Sequence, residues 1–183
     1  MTEADNYLPN VLGALGLAIA DRQRSACESV VAYGPAAAAA LTAIAQYPGE
    51  TVGFFGSILG LTNSGTVRLL DRLAGASLIE RRPGADRRAR AVKLTPDGER
   101  RAVAVQRARS AVTDEVLAPL SEHERSELAC LAEKLLTGLT GSRRDARRIC
   151  RLCDHRRCDD ADRCPVDRAA GALGEPRYHP AAR

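Results

Sequence analysis

The spacing of apolar side chains along the chain predicts a protein made mainly of helices. Near the N-terminus, apolar residues recur at intervals of three and four, the period that places side chains on one face of a helix. They are Leu8, Leu12, Leu15 and Ile19. This pattern predicts an amphipathic first helix within residues 7–32.

Helix-capping and helix-breaking residues divide the segment that follows. Pro35 suits the first position of a helix, and its alanine-rich continuation stops at Pro48. Thr51 is suited to cap a short helix that ends near residue 59, because its oxygen can accept hydrogen bonds from the amides of the first turn. Gly60 fits the left-handed position after that helix.

Thr62 is suited to cap another helix, which the sequence predicts to be two-sided. Its polar side begins with small side chains and continues with arginines. Its apolar side is expected to bury Val67, Leu70, Leu73 and Ala74.

Two short strands and two further helices complete the pattern. Residues 78–82 and 90–94 are expected to form a hairpin around the sequence PGADRRA. A long helix is expected over residues 96–118. Ser121 and Glu124 then form a capping box for the last helix, because each side chain can bond the backbone amide of the other residue.

Composition narrows the class of protein. Apolar residues make up 45% of the 183 residues, enough for a core, whereas aromatic residues make up only 3%, which disfavours a β-sandwich. No apolar run approaches the roughly 20 residues of a membrane span, and the acidic N-terminus lacks the basic segment of a signal peptide. We therefore expect a cytoplasmic protein without membrane association, whose six cysteines are thiols or metal ligands rather than disulfides.

Positive charge is concentrated in two segments of the chain. Residues 50–100 contain nine Lys and Arg against six Asp and Glu, a charge of +3, and residues 141–183 contain eleven against seven, a charge of +4. Nucleic acid is a natural partner for such segments. Charge alone is equally explained by a solubilising surface.

The helix after Thr62 has the features of one that lies in the major groove of duplex DNA. Small polar side chains at its N-terminus allow close approach to base edges, and its free amides favour phosphate. Arginines of the hairpin loop can enter the minor groove, and Asp86 can hold Arg88 in one rotamer. The predicted DNA-contacting residues are Asn63, Ser64, Thr66, Arg68, Arg72, Asp86, Arg87, Arg88 and Arg90.

These motifs resemble those of the MarR/SlyA family of bacterial winged helix-turn-helix transcriptional regulators. The likeness spans about residues 7–140. It rests on LTNSGTVRLLDRL for the recognition helix, DRRARAVKLT for the wing, LTPDGER for entry into the next helix and LSEHERSELACLAEKLL for a closing helix. Ser77 departs from the pattern, because relatives usually have glycine there. Gly75 is expected to supply the left-handed residue instead.

The resemblance implies a mainly α (α+β) fold, a winged helix-turn-helix with N- and C-terminal dimerisation helices. The expected parts are an N-terminal dimerisation helix (1–34), a winged DNA-binding region (35–95), C-terminal dimerisation helices (96–141) and a basic, cysteine-rich tail (142–183) that is disordered from residue 166. The resemblance further implies a homodimer on a pseudo-palindromic operator, with a small-molecule effector that is often an aromatic anion. A self-contained monomeric bundle is the alternative to the dimer.

The tail contains a second motif, with the spacing C-x2-C-x4-C-x5-C. Its members are Cys150, Cys153, Cys158 and Cys164. Four thiolates suit a tetrahedral zinc ion, and an iron–sulfur cluster is the alternative, since Cys164 precedes a proline as in ferredoxin endings. Reversible disulfides in a redox switch, or inert thiols in a disordered tail, stay open at this point.

The sequence as a whole favours a DNA-binding transcriptional regulator, a repressor rather than an activator, with a metal bound in its tail. One alternative keeps the DNA binding and makes the tail a redox or iron–sulfur sensor. Another is a protein-interaction module that does not bind DNA. No glycine-rich phosphate loop and no nucleophile with its base are evident in the sequence, so we do not expect an enzyme.

Overall fold

The computed structural model describes residues 7–83, 90–157 and 164–174, and these residues form helices and one small hairpin. The elements in chain order are α1 (Tyr7–Val30), α2 (Pro35–Gln46), α3 (Val52–Leu59), α4 (Asn63–Gly75), β1 (Ile79–Pro83), β2 (Arg90–Leu94), α5 (Pro96–Leu117), α6 (Glu122–Gly138), α7 (Arg143–Ile149) and α8 (Pro165–Ala172). A 3-10 turn at His155–Arg157 lies between the last two helices.

Helix α2 lies at the centre of the core because its side chains are almost all small and apolar. Ala40, Leu41 and Ile44 are fully buried. Small side chains let helix axes approach closely, and α2 packs against α1, α3, α5 and β2. Phe55 and Ile58 of α3 belong to the same core.

Capping residues set the ends of α3 and α4 as the sequence predicts. The Thr51 side chain accepts a hydrogen bond from the Phe54 amide at 3.3 Å, and the Thr62 side chain accepts one from the Gly65 amide at 3.2 Å. Gly60 ends α3 in the left-handed conformation, with a φ of 67°. The two helices are therefore joined by a short turn with a defined geometry.

The hairpin is fixed to the start of this helix-turn-helix. Strands β1 and β2 are antiparallel, with Ile79 opposite Leu94. On its other side, β2 bonds the segment before α3, because the Gly49 amide donates to the Val92 carbonyl at 2.9 Å and the Val92 amide donates to the Glu50 carbonyl at 3.1 Å. Movement of the hairpin is thus coupled to α3.

The turn between α4 and β1 differs from the sequence-based expectation. Ser77 itself adopts the left-handed conformation, with a φ of 57°, whereas Gly75 ends α4 without a positive φ. The prediction that Gly75 would take this role is wrong. The Ser77 carbonyl accepts a hydrogen bond from Thr95 Oγ1 at 2.7 Å, and this bond from the start of α5 helps to hold the turn.

Gly98 explains the LTPDG sequence at the start of α5. Thr95 caps the helix by accepting from the Gly98 amide at 3.1 Å, and its own amide donates to the Leu78 carbonyl at 3.1 Å. A Cβ atom on Gly98 would lie 1.9 Å from that same carbonyl oxygen. Only glycine permits so close an approach between α5 and the backbone that leads into β1.

Two apolar faces lie uncovered in the single chain. Helix α1 packs along α5 and buries Cys27, but its N-terminal half is exposed, and no residue of α6 is fully buried. The exposed apolar side chains on these two helices include Tyr7, Leu8, Leu12, Leu15, Leu128, Leu131 and Leu135. No helix in the described part of the chain is both long enough and apolar enough to cross a membrane.

The tail is more ordered than the sequence suggests. Helices α7 and α8 pack against each other, α7 also contacts α3, and α8 contacts α6. Val166 and Ala170 are buried together with Ala146. The expectation of disorder from residue 166 onwards is therefore wrong for α8, while residues 175–183 lie outside the described residues.

Candidate nucleic-acid interface and tail cavity

Helix α4 presents a polar face to solvent from its N-terminus onwards. The side chains of Asn63, Ser64, Arg68 and Arg72 are exposed. Neither arginine is paired with a carboxylate among the described residues. Because free amides give a helix N-terminus partial positive charge, this end and the two guanidinium groups form a positive surface that a DNA groove can admit. Contact of these four residues with DNA stays a prediction.

The assignment of Thr66 as a base-facing residue is wrong. Its side chain is fully buried, and its hydroxyl donates to the Thr62 carbonyl at 2.9 Å. A Cβ atom on Gly56 of α3 would lie 2.8 Å from the Thr66 hydroxyl oxygen, so α3 and α4 approach each other closely at Thr66. The buried side of α4 consists of Thr66, Leu69, Leu70 and Leu73, and Val67 is only half-buried.

Arg81 connects the hairpin to α4, a contact that the sequence did not predict. Its guanidinium bonds the Asp71 carboxylate at 2.8 Å and also donates to the Val67 carbonyl at 3.5 Å. Asp71 and Arg81 are on different elements, and no spacing rule pairs them. The contact fixes the direction of β1 relative to α4, and therefore of the strands that carry the hairpin loop.

Most of the predicted wing residues cannot be placed. Asp86, Arg87 and Arg88 lie outside the described residues, and of Arg90 only the backbone, at the start of β2, is described. Within the described part of the hairpin, Arg82 is exposed and pairs with Glu80 at 2.8 Å. The contributions of the loop arginines stay predictions.

A cavity of about 670 Å³ lies between the body of the chain and its tail. One wall comes from the C-terminal end of α2, from β2 and from α5. The opposite wall comes from α7, the segment after it and the start of α8. The tail thus encloses a space against the winged region rather than extending away from it.

Hydrogen bonds and ring contacts hold the tail to the body. The Cys153 carbonyl accepts from Gln46 Nε2 at 2.5 Å and from Gln106 Nε2 at 3.3 Å, so one tail peptide group is bonded to both α2 and α5. The His155 ring contacts the Tyr47 ring edge-to-face, with centroids 5.8 Å apart. These contacts link the tail segment to two helices of the core.

Two arginines of α7 anchor the same segment. Arg143 is buried and forms an ion pair with Asp167 of α8. The Arg147 guanidinium lies 5.1 Å from the centre of the Phe54 ring on α3, a cation–π contact. Helix α7 is therefore fixed both to α8 and to the first helix of the helix-turn-helix.

The cavity wall combines neutral polar groups with charged groups of both signs, including the carboxylates of Glu99, Asp154 and Asp167. Burial raises the pKa of Tyr47 to about 12, so its phenol is neutral across the physiological range. The buried Gln46 Oε1 and Arg147 Nε have no hydrogen-bond partner among the described residues. Both residues line the cavity, although these two atoms are themselves buried in its wall.

Three of the four tail cysteines converge beside this cavity. Cys150, Cys153 and Cys164 all line it, and the Cys150 thiol lies close enough to the other two thiols to perturb their titration. The interaction among these thiols raises the pKa of Cys150 above its ordinary value, and it lowers the pKa of Cys153 to about 7 and that of Cys164 to about 6. The described residues contain no group of three His, Cys, Asp or Glu side chains arranged to hold a metal ion. Cys158 lies outside these residues.

Several solved structures share this arrangement of helices and hairpin. A MarR family protein from Bacillus stearothermophilus is 24% identical, with a TM-score of 0.66, over 76% of this chain and 99% of that one. YusO from Bacillus subtilis is 25% identical, with a TM-score of 0.63, over 73% and 97%. MepR, a transcription regulator of the Staphylococcus aureus multidrug efflux pump MepA, is 20% identical, with a TM-score of 0.61, over 76% and 99%.

These likenesses show that the chain has the MarR-type winged-helix fold, which confirms the fold predicted from the sequence. No protein-family model matches the chain. No curated protein sequence matches it either.

Proposed function

We propose that this protein is a transcriptional regulator that binds double-stranded DNA through α4 and the hairpin. The observation that carries the proposal is the exposed polar face of α4, with Asn63 and Ser64 at the N-terminal end of a capped helix and Arg68 one turn further along it. The shared fold supports it, since MepR is a transcription regulator. The same likeness favours a regulator over an enzyme.

The test compares DNA binding by Arg68→Ala with that of the unchanged protein. The probe is an operator selected from a library of random duplexes. If Arg68 contacts a base, its loss should weaken operator binding by about 1–3 kcal/mol and relax specificity at one position. Unchanged operator affinity in a folded Arg68→Ala variant would contradict the role given to α4.

The proposal extends to a homodimer on a pseudo-palindromic operator. Leu131 and Leu135 of α6 are 56% and 54% exposed, and the exposed half of α1 adds further apolar area. A second copy of the chain would cover these faces, and burying one leucine contributes about 1.5–3 kcal/mol. Leu131→Glu should shift the mass measured by analytical ultracentrifugation towards the monomer. An unchanged dimer mass would exclude α6 from the interface.

We further propose that the protein acts as a repressor and that a small organic anion releases it from DNA. The cavity of about 670 Å³ has a suitable size for such an effector, and the Arg147 guanidinium lines it. Benzoate can serve as a first probe of this chemistry. Its binding should raise the melting temperature and weaken operator binding, whereas an increase in operator affinity would contradict release.

The cysteine cluster is proposed to bind zinc through Cys150, Cys153, Cys158 and Cys164. The close spacing of the four cysteines along the chain supports the proposal, and Cys150, Cys153 and Cys164 line the same cavity. The same arrangement supports a second candidate, reversible thiol oxidation in a redox switch, because the low pKa values of Cys153 and Cys164 favour reactive thiolates.

Metal and acid-labile sulfide per chain, measured on protein purified without air, separate the candidates for the tail. About one zinc ion and no sulfide would support the structural metal site. Iron together with sulfide would indicate a cluster instead. Absence of both metals would leave thiol oxidation, which is then tested by comparing operator affinity before and after reduction.

A further inference from the structure

Helix α7 carries arginines on two adjacent sides, one directed inward and one exposed. Arg143 and Arg147 are directed inward, towards α8 and α3. Arg144, Arg148 and Arg151 are exposed. Arg144 and Arg148 lie one helical turn apart on the same side of α7, and Arg151 follows in the turn after the helix, where its guanidinium donates to the Arg148 carbonyl at 2.5 Å. These three residues are called the α7 arginine face below.

No carboxylate among the described residues neutralises the positive charge of the α7 arginine face. None of its three guanidinium groups is paired with a carboxylate within residues 7–83, 90–157 and 164–174. The nearby acid on the same helix, Asp145, is half-buried and accepts a hydrogen bond from the Ser142 hydroxyl at 2.8 Å. The charge of the face is therefore available to an external anion.

This face lies beside the turn of the helix-turn-helix. A Cβ atom on Gly60 would lie 2.9 Å from Nη2 of Arg148 and 3.3 Å from its Cζ, so the guanidinium lies against the glycine that ends α3. Only Leu61 and Thr62 separate Gly60 from the first residue of α4. The tail thus adds positive charge directly next to the proposed recognition helix.

The position suits contact with the sugar–phosphate backbone. In helix-turn-helix proteins the second helix enters the major groove while the first crosses the backbone. Here α3 is the first helix, and α7 packs against it. Arginine binds phosphate oxygens through paired, charge-assisted hydrogen bonds, which makes it well suited to this role.

We propose that the α7 arginine face is a second DNA-contacting surface, which binds phosphates that flank the bases read by α4. This inference rests on the proposed function, DNA binding through α4. Phosphate contacts carry no direct sequence information. The α7 arginine face is therefore expected to strengthen binding to every duplex without changing which operator is selected.

The experiment measures how DNA affinity depends on salt. Fluorescence anisotropy is recorded for the full-length protein, Arg144→Ala and Arg148→Ala, each with the selected operator and with a random-sequence duplex, over a series of KCl concentrations. Each phosphate contact contributes about 0.9 to the slope of log K against log salt. Since each variant removes two contacts per dimer, its slope should fall by about 2, and affinity for both duplexes should fall by a similar factor, on the order of tenfold.

Two further variants distinguish the loss of a phosphate contact from a general loss of charge or of stability. Arg107→Ala removes an exposed arginine from α5, which does not pack against α3 or α4, and it should leave the slope unchanged. Arg148→Lys keeps the charge beside Gly60 and should retain most of the slope. Arg144→Ala removes an exposed side chain that forms no hydrogen bond or ion pair among the described residues, so its effect on stability should be small.

The outcomes distinguish this inference from the proposed function. If the unchanged protein binds neither duplex, the proposed function itself fails. If Arg68→Ala loses operator preference while both α7 variants keep the full slope, the proposed function stands and the α7 surface is refuted. A lower melting temperature for Arg148→Ala with an unchanged slope would likewise refute it, since the residue would then only support the turn.

Discussion

Replacement of Gly98 by alanine should destabilise the fold by separating α5 from the hairpin. The added Cβ atom would lie 1.9 Å from the Leu78 carbonyl oxygen, 3.0 Å from the carbonyl carbon and 3.2 Å from a methyl group of Leu94. Two of the three nearest atoms belong to backbone. The clash therefore cannot be relieved by rotation of a flexible side chain.

The expected loss in the free energy of unfolding follows from the backbone groups that the added Cβ atom displaces. Restoring an ordinary contact distance requires a shift of at least about 1 Å, which strains the hydrogen bond from the Thr95 amide to the Leu78 carbonyl and the cap on the Gly98 amide. A hydrogen bond and a cap each contribute about 1 kcal/mol, and overpacking costs about 1–3 kcal/mol. The better helix propensity of alanine returns at most about 1 kcal/mol. The net loss should be about 2–4 kcal/mol.

Urea unfolding followed by circular dichroism, at one fixed protein concentration, measures this loss. A change of about 3 kcal/mol corresponds to a fall in melting temperature of roughly 6–12 °C for a chain of this size. Gly53→Ala is the matched control, because Gly53 also lies in the first turn of a helix and has no atom within 4 Å of an added Cβ. A Gly98→Ala protein as stable as the Gly53→Ala protein would refute the reasoning.

Two further predictions concern residues whose burial determines their role. Thr66→Val keeps the side-chain shape and removes only the hydroxyl that donates to the Thr62 carbonyl. The free energy of unfolding, measured in urea, should fall by about 1 kcal/mol, and operator affinity, measured by fluorescence anisotropy, should stay unchanged. A loss of operator affinity at unchanged stability would show that Thr66 contacts DNA after all. Cys27 is buried, and burial raises its thiol pKa above the ordinary 9.0, so less thiolate exists at any given pH. Iodoacetamide at neutral pH should therefore modify Cys27 at least about tenfold more slowly in the folded protein than in urea, as mass spectrometry can measure, and equal rates would contradict its burial. The same shift favours the neutral thiol in the fold, so this group should lower stability only as the pH rises past the thiol's unfolded pKa.

Local features of the fold follow from the sequence because they depend on neighbouring residues. Thr51, Thr62 and Ser121 each accept a hydrogen bond from an amide three residues along the chain. Gly60 takes the left-handed conformation for which a missing Cβ suits it. In each case the group that satisfies the backbone lies within the same turn, so the pattern of residue types is sufficient to predict it.

The orientation of α4 is predicted less well. Asn63, Ser64, Arg68 and Arg72 are exposed as expected, but Thr66 is buried. A threonine is small and only weakly polar, and it is buried here because its hydroxyl bonds the preceding turn and because Gly56 on α3 makes room for it. Helical periodicity predicts which side of α4 is apolar, but it carries no information about which residue of α3 packs against Thr66.

By itself, the sequence determines helices α1 to α6, the caps of α3, α4 and α6, the hairpin and the winged-helix architecture, because these depend on local hydrogen bonding and on the periodic burial of apolar side chains. Only the tertiary structure decides that Arg81 reaches Asp71, that the tail closes a cavity against α2 and α5, and that Arg148 lies against Gly60. Each of these contacts joins residues ten or more positions apart, and long-range contacts arise from how the elements pack. The proposed DNA-contacting surface of the tail is a consequence of that packing.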